Sequence, residues 1–323
     1  MPWVELLEAC VRLNAHLLSA ADIDREAVDA LFDEASGMET AVQESGGTID
    51  LRGKVLATLF YEPSTRTRLS FEAAMCRLAG SVISTENARE NSSGSKGETL
   101  EDTARIVGSY ADGIVIRHYE EGAAGRLASA SAVPVINAGD GPGEHPTQAL
   151  LDLFTMQQEL GRIDGLKIAF VGDLANGRTV HSLCRLLTLY SDITISFIAP
   201  QSTPIRQEIR GLLGEHNVMF HESDDLASVV GSIDVLYQTR VQKERFETIA
   251  AYEQARGFYV VDPGLMTQLS PNAIVMHPLP RVDEIHQAVD ADPRAAYFRQ
   301  ARNGLFVRMA LLKMMLLKEN GVG

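Results

Sequence analysis

Short apolar runs alternate with stretches of helical spacing along most of the chain. Val55–Phe60, Ile114–Ile116, Val133–Ile136, Ile168–Val171, Ile193–Ile198, Val235–Leu236, Tyr259–Val261 and Ile274–Met276 are brief and β-branched, so they predict buried strands. Between them Ser64–Ala79, Thr99–Tyr110, Thr147–Leu160 and Thr179–Tyr190 carry apolar residues at helical intervals. Strand, helix, strand in this rhythm predicts an α/β fold of two doubly wound domains, each a parallel sheet with helices on both faces. Pro146 suits a first helical turn and Gly161 and Gly165 mark a helix end, which makes this helix the connection between the two blocks. Gly304–Leu317 reads as a buried apolar helix returning to the first block. The expected domains are therefore 1–146 with 304–323, and 147–303.

Length supports that division, since 323 residues exceed one average domain. A hydrophobic content of 45% and a charged content of 22% describe an ordinary globular chain. The net charge of −14 argues against broad nucleic-acid binding, which needs clustered Lys and Arg, while leaving room for a local basic cleft. The longest apolar stretch, Leu305–Leu317, is interrupted by Arg308 and Lys313, so no membrane span is expected. The first residues lack a basic start and an apolar core and are too acidic for a typical transit peptide, so they read as mature sequence. Cys10, Cys76 and Cys184 are far apart and form no C-x-x-C pair, which points to reduced thiols and to no metal site.

Chemistry concentrates first at Tyr61-Glu-Pro-Ser-Thr-Arg-Thr-Arg68. Strand, turn and helix follow one another there, with Ser64 as N-cap and Leu69, Phe71, Met75 and Leu78 as apolar positions. A helix start offers free N–H groups to an anion, and two hydroxyls and a guanidinium beside it match the oxygens of a phosphate. An ordinary capped helix with solvent-facing arginines fits the same residues. Thr99-x-x-Asp102 resembles a capping box opening the next helix. Gly172-Asp-Leu-Ala-Asn-Gly177 follows a strand but lacks the full G-x-G-x-x-G of a dinucleotide loop.

Ser64-Thr-Arg-Thr-Arg68 after a strand resembles the carbamoyl phosphate signature of the aspartate/ornithine carbamoyltransferase family. Further blocks follow in that family's order: Lys96-Gly-Glu-Thr-Leu-Glu-Asp102, Ile116-Arg-His118, Asn137-Ala-Gly-Asp-Gly141, His145-Pro-Thr-Gln148, Gly177-Arg-Thr-Val-His-Ser182, Thr239-Arg-Val-Gln-Lys-Glu-Arg245 and His277-Pro-Leu-Pro-Arg281. The resemblance spans nearly the whole chain. Ornithine enzymes of the family typically show S-M-G, H-C-L-P and H-P-C-Q elements. Thr239-Arg240-Val-Gln242, His277-Pro-Leu-Pro280 and His145-Pro-Thr-Gln148 stand in their places, which favours aspartate as acceptor. A dicarboxylate calls for extra arginines, and Arg178 and Arg240 are placed near predicted strand ends.

The resemblance implies that Ser64, Thr65, Arg66 and Thr67 hold the phosphate of carbamoyl phosphate, with Thr67 also reaching its carbonyl oxygen and Arg117 closing the site. By the same resemblance His145 donates to that carbonyl and Gln148 fixes the carbamoyl amide. Arg178, Thr179, Arg240 and Gln242 face L-aspartate, and the backbone of Pro278 and Leu279 accepts from the amide and the incoming amine. Ser92 and Lys96 reach a neighbouring subunit's site, so a homotrimer with shared active sites is implied. Ser95-Lys96 stands where some bacterial members carry two lysines. His118, His181 and His277 are read as supporting residues. No cofactor is implied; regulatory chains or pathway enzymes are open as further partners, in the cytoplasm or an organellar stroma. A non-catalytic paralogue, or an enzyme acting on ornithine or an acylated ornithine, is the competing reading, and the retained charged ligands and acceptor motifs weigh against both.

Overall fold

A computed structural model describes residues 15–88, 97–240, 248 and 259–317. The chain divides into two compact units: the described residues of Met1–Leu151 with Arg302–Gly323, and those of Asp152–Ala301.

The first unit is built on a four-stranded, all-parallel sheet. Its strands are β1 (Val55–Phe60), β2 (Ser81–Glu86), β3 (Gly113–His118) and β4 (Val135–Asp140), in the order β2-β1-β3-β4. Ala57, Leu59, Ile114 and Ile116 pack on one face with Ala104 of helix Leu100–Gly108 and Leu127 and Ala128 of helix Ala123–Ser129. On the other face helix Thr65–Arg77 is tied to β1 by Thr58 Oγ1 bonded to Glu72 Oε1 at 3.1 Å. The final helix, Tyr297–Leu316, lays Arg308 over the Phe71 ring, and its Lys313 pairs with Glu34 of helix Arg25–Ser45 at 2.8 Å. At Gly113 an added Cβ would meet Leu316 Cδ2 at 2.7 Å, so glycine lets the helix end settle on the strand.

The second unit carries a five-stranded parallel sheet: β5 (Lys167–Val171), β6 (Thr194–Ile198), β7 (Met219–Ser223), β8 (Val235–Gln238) and β9 (Ile274–Met276), in the order β7-β6-β5-β8-β9. Ala169, Val171, Leu236 and Val275 join Val230, Met266, Val289 and Tyr297 in one core. Phe170, one residue out of phase, points to the opposite face and meets Phe197 at 5.9 Å and Tyr237 at 5.4 Å.

Several elements differ from their sequence expectation. β2 and β7 are not anticipated, and both are edge strands whose side chains are largely exposed, so their sequences SVISTE and MFHES lack the continuous apolar run of a central strand. Tyr259–Val261 is not a strand; Val261 makes one isolated bridge to Ile285. Helix Arg25–Ser45, capped by Asp24 and ended by Gly46 at φ +81°, was also not anticipated. The last helix begins at Tyr297, earlier than Gly304. Leu69 is half exposed instead of buried, whereas Phe71, Met75 and Leu78 are fully buried. At Thr99 only half of a capping box forms: Thr99 accepts the Asp102 N–H at 3.1 Å, but the Asp102 carboxylate pairs with Arg105 at 2.9 Å.

Candidate functional site

In an open parallel sheet, ligand sites lie beyond the carboxyl ends of the strands, where the strand order reverses direction. In the first unit that point is between β1 and β3, because β2 lies to one side of β1 and β3 and β4 to the other. The segment leaving β1 is the Ser64–Arg68 motif, and β3 ends on Arg117-His118. The Tyr61 N–H bonded to the Arg117 carbonyl at 2.8 Å fastens the two exits together.

Ser64 occupies the N-cap of helix Thr65–Arg77, but at φ −160°, ψ 85° its side chain makes no capping hydrogen bond, which corrects the expected cap. The first intrahelical bond is Arg68 N–H to the Ser64 carbonyl at 3.1 Å, so the N–H groups of Thr65, Arg66 and Thr67 lie ahead of it. Thr65 and Arg66 are exposed, Ser64 is half-buried and Thr67 is buried. Arg68 turns the other way: it pairs with Glu86 at 2.7 Å and Glu72 at 3.5 Å, which ties the helix to the edge strand β2. The motif's two arginines therefore have different surroundings.

Arg117 is buried, pairs with Glu62 Oε2 at 2.8 Å and donates to the Ala138 carbonyl at 3.1 Å. The Glu62 contact was not read from sequence; a carboxylate two residues ahead of Ser64 was its only signal. His118 Nδ1 accepts the Glu120 N–H at 3.0 Å, which leaves the ring proton on Nε2; the ring contacts Tyr61 and Tyr119, and burial lowers its pKa. The loop after β4 folds around Asp140, whose carboxylate takes the N–H groups of Glu144 at 2.9 Å and Gly122 at 2.8 Å. Gly141, at φ +50°, would press a Cβ to 2.6 Å from the Tyr119 carbonyl, so the turn requires glycine. The loop delivers a buried His145, whose carbonyl caps helix Pro146–Leu160 by accepting the Gln148 N–H at 3.0 Å and the Ala149 N–H at 3.2 Å; Gln148 itself is half-buried.

The second unit reverses between β5 and β8. Arg178 and Thr179, both half-buried, open helix Arg178–Leu187 after the loop leaving β5. Thr239 and Arg240 leave β8; the Thr239 N–H and hydroxyl both bond to the Val171 carbonyl, at 2.8 and 3.0 Å, locking the two exits side by side. Beyond β9 lies His277, fully buried, then Pro278 and Leu279, both half-buried. His277 Nδ1 accepts the Leu279 N–H at 2.8 Å, and Nε2 faces Glu284 Oε1 at 2.8 Å. Burial lowers the His277 pKa against the opposing pull of the Glu284 carboxylate, and the cationic Arg281 and Arg240 add to the lowering. His181 donates to the Leu174 carbonyl at 2.8 Å, and burial brings its pKa down to about 4.

Thus the sheets gather Ser64, Thr65, Arg66, Thr67, Arg117, His145 and Gln148 into one unit and Arg178, Thr179, Arg240, Pro278 and Leu279 into the other. Ser92, Lys96 and Gln242 lie outside the described residues. Among the described residues no group of three or more His, Cys, Asp or Glu could hold a metal ion, and no helix is long and apolar enough to cross a membrane. A cavity of ≈ 380 Å³ lined by Met266, Leu269, Pro271 and Arg294 contains none of the candidate residues.

Residues 15–158 match the carbamoyl-P binding domain of aspartate/ornithine carbamoyltransferase, and 164–315 match its Asp/Orn binding domain. The chain belongs to the aspartate/ornithine carbamoyltransferase family. Within this family it is 56% identical to the chloroplastic aspartate carbamoyltransferase of Arabidopsis thaliana over 302 residues, covering 93% of this chain and 77% of the relative. The aspartate transcarbamoylase of Trypanosoma cruzi, solved with N-(phosphonacetyl)-L-aspartic acid, superposes with a TM-score of 0.88 at 43% identity over 94% of this chain and 96% of that one. The catalytic subunit of Methanocaldococcus jannaschii aspartate transcarbamoylase gives 0.89 at 48% identity over 95% and 100%. Family membership accounts for two parallel sheets in one chain, each presenting polar residues at its own reversal point.

Proposed function

We propose that this chain transfers the carbamoyl group of carbamoyl phosphate to the α-amine of L-aspartate, releasing N-carbamoyl-L-aspartate and phosphate, the committed step of pyrimidine (UMP) synthesis. The observation that carries the reading is the matched pair of reversal points. One presents a helix start with hydroxyls and a guanidinium, suited to a phosphate; the other presents two arginines beside a backbone turn, suited to a dicarboxylate with an amine. Trypanosoma cruzi aspartate transcarbamoylase has been solved with carbamoyl phosphate and aspartate together, which supports the same substrate pair.

In this reading Ser64, Thr65, Arg66 and Thr67 bind the phosphate and neutralise charge as it leaves. Thr67, Arg117 and His145 polarise the carbamoyl carbonyl, and Gln148 orients its amide. Arg178, Thr179, Arg240 and Gln242 hold the aspartate carboxylates, while the carbonyls of Pro278 and Leu279 accept from the amide and the amine. A C–N bond forms, the C–O bond to phosphate breaks, and the amine proton passes to the departing phosphate as the tetrahedral intermediate collapses. Positioning and fixed charge supply the acceleration, with no covalent enzyme intermediate. Ser92 and Lys96 complete a neighbouring site in a homotrimer. The setting is the cytoplasm or an organellar stroma, and the named Arabidopsis relative is chloroplastic.

Phosphate release from carbamoyl phosphate should depend on L-aspartate and not on ornithine; release with ornithine alone overturns the acceptor assignment. Mixing inactive Lys96→Ala and Arg66→Ala chains should restore part of the activity, and no recovery in confirmed mixed trimers defeats site sharing.

A further inference from the structure

His277 and Glu284 surround the turn after β9 with more hydrogen bonds than a surface turn requires. Leu279 is a non-glycine residue at φ +52°, a left-handed conformation that persists only where its surroundings impose it. Its N–H is held by His277 Nδ1 at 2.8 Å. An N–H pointing at Nδ1 makes that nitrogen the acceptor, so the ring proton sits on Nε2 and is donated to Glu284 Oε1 at 2.8 Å. Glu284 Oε2 accepts the N–H groups of Val282 and Asp283, each at 3.1 Å. From behind, the His277 N–H donates to Gln300 Oε1 at 2.9 Å, Gln300 Nε2 donates to Asp152 Oδ1 at 2.7 Å, and the Tyr237 hydroxyl donates to Asp152 Oδ2 at 2.7 Å. His277, Gln300, Asp152 and Tyr237 are all at most 1% exposed.

We propose that His277 and Glu284 are positioning residues for the transfer reaction, aiming the carbonyls of Pro278 and Leu279 at the carbamoyl amide and the attacking amine. This rests on the carbamoyl-transfer reading above. The arrangement needs a carboxylate at 284, because acceptors are required on both oxygens. Glutamine there supplies one, so either the imidazole or the Val282 and Asp283 N–H groups face another donor. It also needs an acceptor at 277 for an N–H two residues on, a role that asparagine can take through its side-chain oxygen.

The test compares wild type with His277→Ala, His277→Asn and Glu284→Gln in the intact enzyme. In His277→Ala and Glu284→Gln kcat should fall about tenfold to a hundredfold, the scale of a reacting group misplaced by about 1 Å, while KM for carbamoyl phosphate stays unchanged. His277→Asn should recover most of the loss. Equal impairment of His277→Asn and His277→Ala at matched thermal stability overturns the proposal, as does unchanged kcat in both His277→Ala and Glu284→Gln. If His277→Ala fails to fold, the decision passes to Glu284→Gln and to nitrogen NMR of the wild-type imidazole. A ring protonated on Nε2 at neutral pH is expected, and a proton on Nδ1 overturns the assignment. The NMR result does not depend on turnover, so it separates failure of this inference from failure of the substrate assignment.

Discussion

The two candidate half-sites are assembled in opposite ways. In the first unit the proposed phosphate ligands are consecutive, Ser64 to Thr67, and the backbone of one helix start adds its N–H groups. In the second the proposed aspartate ligands come from three separate strand exits, after β5, β8 and β9. A contiguous anion site is positioned by local backbone geometry. A dispersed one is positioned by whatever holds the strand exits in register, here Thr239 on Val171 and the buried chain from His277 through Gln300 to Asp152 and Tyr237. Damage to the first should therefore stay chemical, while damage to the second should also register as lost stability.

The largest expected effect tests that contrast by kinetics. Arg66 is exposed at a helix start, so Arg66→Ala should leave folding intact while lowering kcat/KM for carbamoyl phosphate about 10²- to 10³-fold, the usual cost of one preorganised group that stabilises developing charge. Arg240→Ala should raise KM for aspartate about tenfold to a hundredfold, since a hydrogen bond to a charged partner contributes about 1.5–3 kcal/mol. Steady-state kinetics with each substrate varied will separate them. If both variants alter only KM for aspartate, the division of labour between the units is wrong.

The same contrast explains what could be read in advance. β1 is legible because it lies in the sheet interior and five of its six residues are buried, which writes a continuous apolar run, VLATLF. β2 and β7 escape because their side chains are largely exposed and so free to be polar, unlike the buried edge strands β4 and β9. The Ser64–Thr67 group is legible for the same reason that it is compact: its parts are neighbours in sequence. Arg178 and Arg240 can be picked out as residues near strand ends, but nothing in the sequence says that Gln300 and Asp152, 148 positions apart, meet. The Glu62–Arg117 pair and the His277–Glu284 pair were missed because each depends on a turn conformation fixed only in three dimensions.

Stability gives the next effect in size. Gln300→Leu removes the acceptor of the His277 N–H and a donor to Asp152, both fully buried, and should cost about 3 kcal/mol. Thr65→Ala in the first half-site, at an exposed position, should cost less than about 0.5 kcal/mol. Urea unfolding will compare them; similar losses would remove the distinction between a locally and a globally positioned half-site.

A pH effect of about 2 kcal/mol should separate the units further. Burial holds the His181 pKa down to about 4, against 6.5 in an unfolded chain. Between those values the unfolded state binds a proton that the folded state refuses, so this contribution is complete above pH 6.5 and is lost as pH falls towards 4. Between pH 7 and pH 5 the loss should be about 2 kcal/mol. His181→Gln keeps a donor for the Leu174 carbonyl without titrating. Its stability should therefore fall less over the same interval; parallel wild-type and variant curves would mean that His181 is not the group responsible.

The smallest expected effect concerns the two exposed edge strands, β2 and β7, where the units are again unlike. On β2, Glu86 pairs at 2.7 Å with Arg68, whose side chain is 20% exposed and also reaches Glu72 and Ser84. On β7, Glu222 pairs at 2.7 Å with Arg210, and their side chains are 36% and 30% exposed. Arg210 also reaches the second Glu222 oxygen, Nε to Oε1 at 2.8 Å, but a surface pair contributes roughly 0–1 kcal/mol and is screened by salt, so Glu222→Gln should shift stability by less than about 1 kcal/mol at 0.15 M salt. Glu72→Gln should cost more, because the Glu72 carboxylate also accepts from Thr58 and Ser84, at 3.1 and 2.7 Å, within a partly buried network. The ranking, measured by chemical unfolding at low and high salt, is what matters. If Glu222→Gln proved the costlier change, the edge of the second sheet would be the one held by its charges, and the partly buried network around Glu72 would add nothing to the anchoring of β2.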